Sequence, residues 1–239
     1  MSQNAVMSQG LRILITGFGP FPGAPFNPTA PLVKRLTQLR RPALNGVALT
    51  GHIFHVTYQT VDRELPKLVA QLRPQALLMF GLATRAAHLR IETRARNAVT
   101  THVPDADGNR AQKASIVHGA NAMPFGPHTA NLLHAARATG IDARLSRDAG
   151  AYLCNYLSWR AIEATQRPGG PALASFIHVP LVARDGTARE EMSDITLEQL
   201  VDAGEAVLME MVKLTRKTIR AASIDYMNDE KFQTNDFLA

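Results

Sequence analysis

Ile141-Asp-Ala-Arg-Leu-Ser146, Asp148-Ala-Gly-Ala-Tyr-Leu-Cys-Asn-Tyr-Leu-Ser-Trp159 and Leu173-Ala-Ser-Phe-Ile-His-Val179 are the segments on which the reading of the fold turns. The first is short and strand-like. The second opens a helix that runs to about Gln166, with Leu153, Leu157, Ala161 and Ile162 on its apolar side. Arg167-Pro-Gly-Gly-Pro171 breaks that helix, and the third segment is an apolar run of strand length ending in His178-Val-Pro180. A strand, a helix and a second strand in succession predict an α/β unit. Cys154, the chain's single cysteine, then sits near the positive end of its helix, where a thiol can ionise and act as a nucleophile. A lone cysteine is more commonly a small buried hydrophobe, so its partners decide the matter.

The same alternation extends upstream. Arg12-Ile-Leu-Ile-Thr16 is a buried first strand ending at Gly17, and Pro28 or Thr29 starts a helix through Leu32, Val33, Leu36 and Leu39. Val47 to Val56 predicts a second strand, Val61 to Leu72 a helix with acids in its first turn, and Ala76-Leu-Leu-Met-Phe80 a strand closed by Gly81. Leu89 to Asn97 alternates strictly, predicting one strand whose polar face carries Arg90, Glu92, Arg94 and Arg96. By itself that face reads as solvated charge pairs. Val99 to Met123 is too long for a plain connector and predicts a cleft wall, with a turn at Pro104-Asp-Ala-Asp-Gly108. A helix from about Thr129 to Ala138 and a long amphipathic one from Thr196 to about Ala222 complete the set. The expectation is α/β: one three-layer α/β/α sandwich around a mixed, mostly parallel twisted sheet. It occupies residues 11–222, between a flexible N-terminus (1–10) and a polar C-terminal tail (223–239).

Composition narrows the function classes. The chain has 239 residues, 46% of them hydrophobic, as in an ordinary globular protein. One cysteine excludes an internal disulfide framework and a cysteine-rich zinc site, and it suits a reducing, cytoplasmic setting. Residues 1–10 show no signal peptide, and no run approaches the ~20 apolar residues that span a bilayer, so no membrane role is expected. The net charge of +6 is spread along the chain without a nucleic-acid-binding motif, which argues against a nucleic-acid partner. His118, His128 and His134 lack metal-ligand spacing, and neither a Walker loop nor a G-x-S-x-G elbow occurs. No metal and no cofactor are expected.

In α/β sheets the working cleft lies beyond the carboxyl ends of the strands. The loop Gly17-Phe-Gly-Pro-Phe-Pro-Gly-Ala-Pro-Phe-Asn-Pro28 points there, and its three phenylalanines either contact a ligand or fold back onto the core. Cys154 and His178 point there too. A thiol nucleophile needs a base, usually histidine, and the imidazole needs a group to fix its tautomer. Glu92 is the best candidate for that post, among eight histidines and many acids.

These segments have a family likeness. Gly17-Phe-Gly-Pro-Phe-Pro-Gly with Asn27-Pro28, Gly81 with Ile91-Glu92 and Asn97, Ala149-Gly-Ala-Tyr-Leu-Cys-Asn-Tyr156, and Phe176-Ile-His-Val-Pro180 together resemble the motifs of the pyroglutamyl peptidase I family, the pyrrolidone-carboxylate peptidases. The likeness runs from Gly17 to Pro180 and leaves the end of the chain uncovered. It implies a cytoplasmic, cofactor-free cysteine peptidase that takes a small peptide with a blocked N-terminus and removes its pyroglutamate, as a homotetramer or homodimer. It further implies Cys154 as nucleophile, His178 as general base and acid, and Glu92 as the orienting carboxylate. Phe18, Phe21 and Tyr152 would stand around the lactam ring, with Asn27 holding the loop. The chain departs from the pattern at three places: Leu82 replaces a glutamine that helps recognise the lactam, His102 an arginine near the developing oxyanion, and Pro22 a glycine. Two other readings stay open: the same triad acting on a different N-terminal acyl group, and a catalytically silent binding protein on the same fold.

Overall fold

Apolar strand runs of this length need cover on both faces, and the computed structural model shows how they get it. It describes residues 10–119, 121–182 and 194–235, with side chains described up to Ile224. The strands are β1 (Leu11–Phe18), β2 (Val47–Phe54), β3 (Ala76–Leu82), β4 (Leu89–Glu92), β5 (Arg94–Arg96), β6 (Ala122–Pro124), β7 (Ala143–Ser146) and β8 (Leu173–Val179). The helices are α1 (Thr29–Thr37), α2 (Tyr58–Leu72), α3 (His128–Arg137), α4 (Leu153–Thr165) and α5 (Leu197–Asn235). Six strands form one sheet in the order β2-β1-β3-β8-β4-β7, while β5 and β6 pair separately. β2, β1, β3 and β8 are mutually parallel; β4 runs antiparallel to β8, and β7 is parallel to β4. The sheet is thus mixed and mostly parallel, as expected.

Side chains alternate across the sheet, so each strand feeds two cores. On one face Ile13, Ile15, Leu78, Phe80 and Ile177 pack under Leu32 and Leu36 of α1, Leu132 of α3, and Leu200 and Leu208 of α5. On the other, Leu14, Leu77, Met79 and Phe176 pack under Val61 and Leu65 of α2 and Leu153 and Leu157 of α4. This second layer carries Cys154.

Four expectations are corrected. The alternating segment 89–97 is two strands in two sheets, because Thr93 leaves the first ladder: its N–H donates to Ser146 O (2.7 Å), and its carbonyl accepts from Phe125 N–H (3.0 Å). Glu92 is not on a solvated face but fully buried. Helix α2 starts at Tyr58, capped by Thr57, whose hydroxyl accepts from Thr60 N–H (3.2 Å); its acids therefore fall beyond the first turn. Helix α5 continues past Ala222 to Asn235, since no Gly or Pro interrupts residues 205–235. The expected flexible segment 1–10 lies, apart from Gly10, outside the described residues, as do 236–239.

Candidate active site

Strand register brings the chemistry together. His178 on β8 has Gly81 of β3 opposite it on one side and Arg90 of β4 on the other. Glu92, two residues beyond Arg90, shares its face of the sheet. The His178 ring donates from Nδ1 to Glu92 Oε1 at 2.8 Å, a tautomer assigned from the hydrogen-bond network. That leaves the other ring nitrogen for Cys154, whose thiol hydrogen-bonds the imidazole. The sequence placed Cys154, His178 and Glu92 as one set, and the structure puts all three in contact.

Cys154 is the second residue of α4 and half-buried. The first intrahelical bond there is Tyr156 N–H to Tyr152 O (3.0 Å), so the N–H groups of Leu153, Cys154 and Asn155 precede the ladder and carry the helix's positive end. Space for the thiol comes from Gly81. A Cβ at that position would lie 2.7 Å from Cys154 Sγ and 2.6 Å from the Phe176 ring. Gly81→Ala is accordingly expected to displace the sulfur and lower kcat by about 100-fold, at a stability cost of about 1–3 kcal/mol; steady-state kinetics with a thermal melt measures both.

His178 is buried, which alone would lower its pKa. The negative charge and hydrogen bond of Cys154, followed by the hydrogen bond and charge of Glu92, outweigh that and push it up to about 9. A raised pKa favours the protonated ring, the form that can give a proton to a leaving group. Glu92 is completely buried, with Oε2 lacking a hydrogen-bond partner among the described residues and Arg90 Nε 3.4 Å from Oε1.

The remaining sequence-predicted residues divide. Asn27 is buried and holds the aromatic loop: its Oδ1 accepts from Thr29 N–H (3.1 Å) and Thr29 hydroxyl (2.8 Å), and its Nδ2 donates to Gly19 O (3.1 Å). Phe18 is buried against Phe54, centroids 6.0 Å apart, whereas Phe21 is half-buried. Both pack in the cluster that includes Tyr152 and Cys154. Tyr152 caps the start of α4 and donates to Pro104 O (2.9 Å); burial, Asp105 and Cys154 push its pKa up to about 12. Leu82 is half-buried at the end of β3, next to Gly81. The His102 side chain is exposed on the cleft wall, where its carbonyl accepts from Arg110.

Some contributors escaped the sequence. Arg90, Arg94 and Arg96, read there as solvated charge, fasten the loop that leads into α4: Arg90 donates to Ser146 Oγ (2.7 Å) and Asp148 O, Arg94 to Arg147 O (2.9 Å), and Arg96 to Gly150 O (3.2 Å) and Asp148 Oδ1 (3.0 Å). Asn155 is fully buried; it accepts from Arg96 N–H (2.8 Å) and donates to Arg96 O (2.8 Å) and Ala98 O (2.9 Å), tying the nucleophile's helix to the cleft wall. Asn155→Ala strands those backbone groups and is expected to cost about 3 kcal/mol, a fall in Tm of about 6–12 °C; calorimetry checks it. His128 is spent on packing, its Nε2 2.9 Å from both Ala174 O and Ser175 Oγ, and burial lowers its pKa. Among the described residues no three His, Cys, Asp or Glu side chains gather as a metal set, and no helix is long and apolar enough to cross a membrane.

A thiol on a helix N-terminus, an imidazole against it and a buried carboxylate behind, on an α/β/α sandwich, define the class: a cysteine hydrolase. The chain belongs to the pyroglutamyl peptidase family, whose model matches residues 11–213. The pyrrolidone-carboxylate peptidase of Pyrococcus furiosus is 30% identical over 173 residues, 72% of this chain and 82% of that one. Pyrrolidone-carboxylate peptidase 1 of Ralstonia nicotianae is 27% identical over 212 residues, 88% and 96% of the two chains. Among solved structures, the pyrrolidone carboxyl peptidase of Thermococcus litoralis superposes with a TM-score of 0.78 at 25% identity, covering 87% of this chain and 96% of its own. That of Fervidobacterium islandicum AW-1 gives 0.76 at 28% identity, covering 85% and 99%.

Proposed function

We propose that this protein hydrolyses the amide bond after an N-terminal pyroglutamyl residue of peptides, through a thioester on Cys154. The observation that carries the reading is the Cys154–His178–Glu92 contact set at the start of α4. The Cys154 thiolate attacks the pyroglutamyl carbonyl carbon, forming the C–S bond and a tetrahedral oxyanion. The N–H groups of the first turn of α4 face that negative charge. As the C–N bond breaks, His178 gives its proton to the departing amine. It then takes a proton from water, which attacks the thioester; pyroglutamate leaves and the thiolate is restored. Glu92 keeps Nδ1–H engaged throughout, so the other ring nitrogen always faces the sulfur.

Phe21 and Tyr152 wall the lactam, Phe18 supports the wall from the core, and Asn27 keeps the loop in place. Where the family likeness expects hydrogen-bonding side chains, Leu82 is apolar and His102 points to solvent, so backbone groups and apolar contact hold the ring. Leu82 also favours one second reading, the same chemistry on another small N-terminal acyl group. The free thiol supports a reducing, cytoplasmic location, and the family likeness supports a homotetramer or homodimer, which light scattering tests. A panel of aminomethylcoumarin amides decides the substrate: release from the pyroglutamyl amide and not from the prolyl or acetyl-alanyl amides is expected. The reverse preference would transfer the reading to another acyl group.

A further inference from the structure

We infer that the cavity packed through Tyr58 against Tyr152, the residue on which the nucleophile's helix begins, is a subsite for the departing peptide and reads its terminal carboxylate; this rests on the pyroglutamyl-peptidase reading above. The cavity, about 540 Å³, lies between the start of α2, α4 and the wall 99–116. Tyr58, Tyr156 and Val99 make its inner side, and Asp105, Arg110 and Lys113 stand on the wall. Three features join it to the reaction centre. The Tyr58 ring meets Tyr152 edge-on, centroids 6.1 Å apart, and Tyr152 is the residue on which α4 begins. Asp105 of the cavity and Cys154 both act electrostatically on the Tyr152 hydroxyl. The wall is anchored to the nucleophile's helix through Thr100 N–H to Ala151 O (2.6 Å) and Tyr152 hydroxyl to Pro104 O (2.9 Å).

Charge identifies what enters. Asp105 is buried, and its Oδ1 already accepts from the N–H groups of Asp107 (3.1 Å) and Asn109 (2.9 Å). Among the described residues neither Arg110 nor Lys113 has a carboxylate partner. The Tyr58 hydroxyl, buried at the cavity's inner side, lacks a hydrogen-bond partner among them too. Two cations and a waiting hydroxyl suit an anion with hydrogen-bonding oxygens. The anion that the reaction presents there is the α-carboxylate of a short leaving peptide, three residues of which span about 10 Å.

The test compares pyroglutamyl-Ala-Ala-Ala carrying a free carboxylate with the same peptide as its C-terminal amide. The wild type is expected to favour the acid by about fivefold or more in kcat/KM, expressed in KM, and to lose that ratio as salt is raised. In the Arg110→Gln/Lys113→Gln variant the ratio should fall to near one. A ratio of one in the wild type, or one that survives in the variant, overturns the inference while leaving the hydrolytic reading intact. Should the wild type cleave neither peptide, the hydrolytic reading fails, and binding still decides the subsite. NMR titration of Cys154→Ala with Ala-Ala-Ala and its amide must then show preference for the acid, lost with Arg110→Gln/Lys113→Gln. Equal binding would overturn it.

Discussion

Cys154→Ala is expected to lower pyroglutamyl-aminomethylcoumarin hydrolysis by about 10⁵-fold or more, to a residue supplied by binding and the helix N-terminus alone. A loss of that size separates a nucleophile from a core thiol, because a half-buried cysteine of purely structural use loses little beyond packing when shortened to alanine. The variant has a second readout, independent of substrate. Burial lowers the pKa of His178, while the charge of Cys154 and its hydrogen bond lead the influences that raise it to about 9. Without the sulfur only Glu92 opposes burial, so the imidazole resonance in an NMR titration should shift to a markedly lower pKa. The wild-type thiol should in turn be alkylated by iodoacetamide faster than free cysteine at neutral pH. Unchanged hydrolysis in Cys154→Ala would end the assignment; slow alkylation with no turnover would favour a silent protein on this fold.

How far the sequence carried this site follows from what each residue depends on. Cys154 and His178 lie in segments whose periodicity fixes their own ends, so a helix start and a strand end were readable locally. The α/β/α layering followed from the same runs, since a strand such as Ala76–Phe80 that is apolar at every position must be covered twice. The reversal of β4 and β7 against the other four strands was not readable in that way, because direction is set by distant pairing, here Arg90 against His178. The same pairing carried Glu92 from an apparently polar face into the interior. Alternation reports which residues share a face, not whether that face meets water or an overlying helix. Arg90, Arg94 and Arg96 look identical in sequence whether they pair with solvent or with the carbonyls of 147–150. The end of α5 was misjudged for the opposite reason: loss of apolar periodicity removes the packing signal without supplying a stop.

Glu92→Gln tests the third member of the triad, and a fall of about 10²–10⁴-fold in kcat is expected with KM nearly unchanged. Glutamine keeps an oxygen that can accept from Nδ1–H but loses the charge that stabilises the imidazolium. It also lets the amide turn and offer N–H instead, which would favour the tautomer with its proton on the nitrogen facing the sulfur and no lone pair there to accept the thiol proton. The fold should survive, because Arg90, the cation 3.4 Å from the carboxylate, is itself part-exposed and reaches water when left alone. The pH dependence carries the sharper signature. His178 is raised to about 9 in the folded chain against an ordinary 6.5, so its contribution to stability is fully present below about 6.5 and is lost as pH rises through 9. Removing Glu92 removes one of the raising influences while burial continues to lower, so the loss should begin at lower pH in the variant. The alkaline limb of kcat, where proton donation to the leaving amine fails, should move the same way. Parallel urea melts and rate profiles from pH 6 to 10 measure both limbs. A variant whose two profiles superpose on the wild type would remove Glu92 from the mechanism, leaving Cys154 and His178 as a dyad.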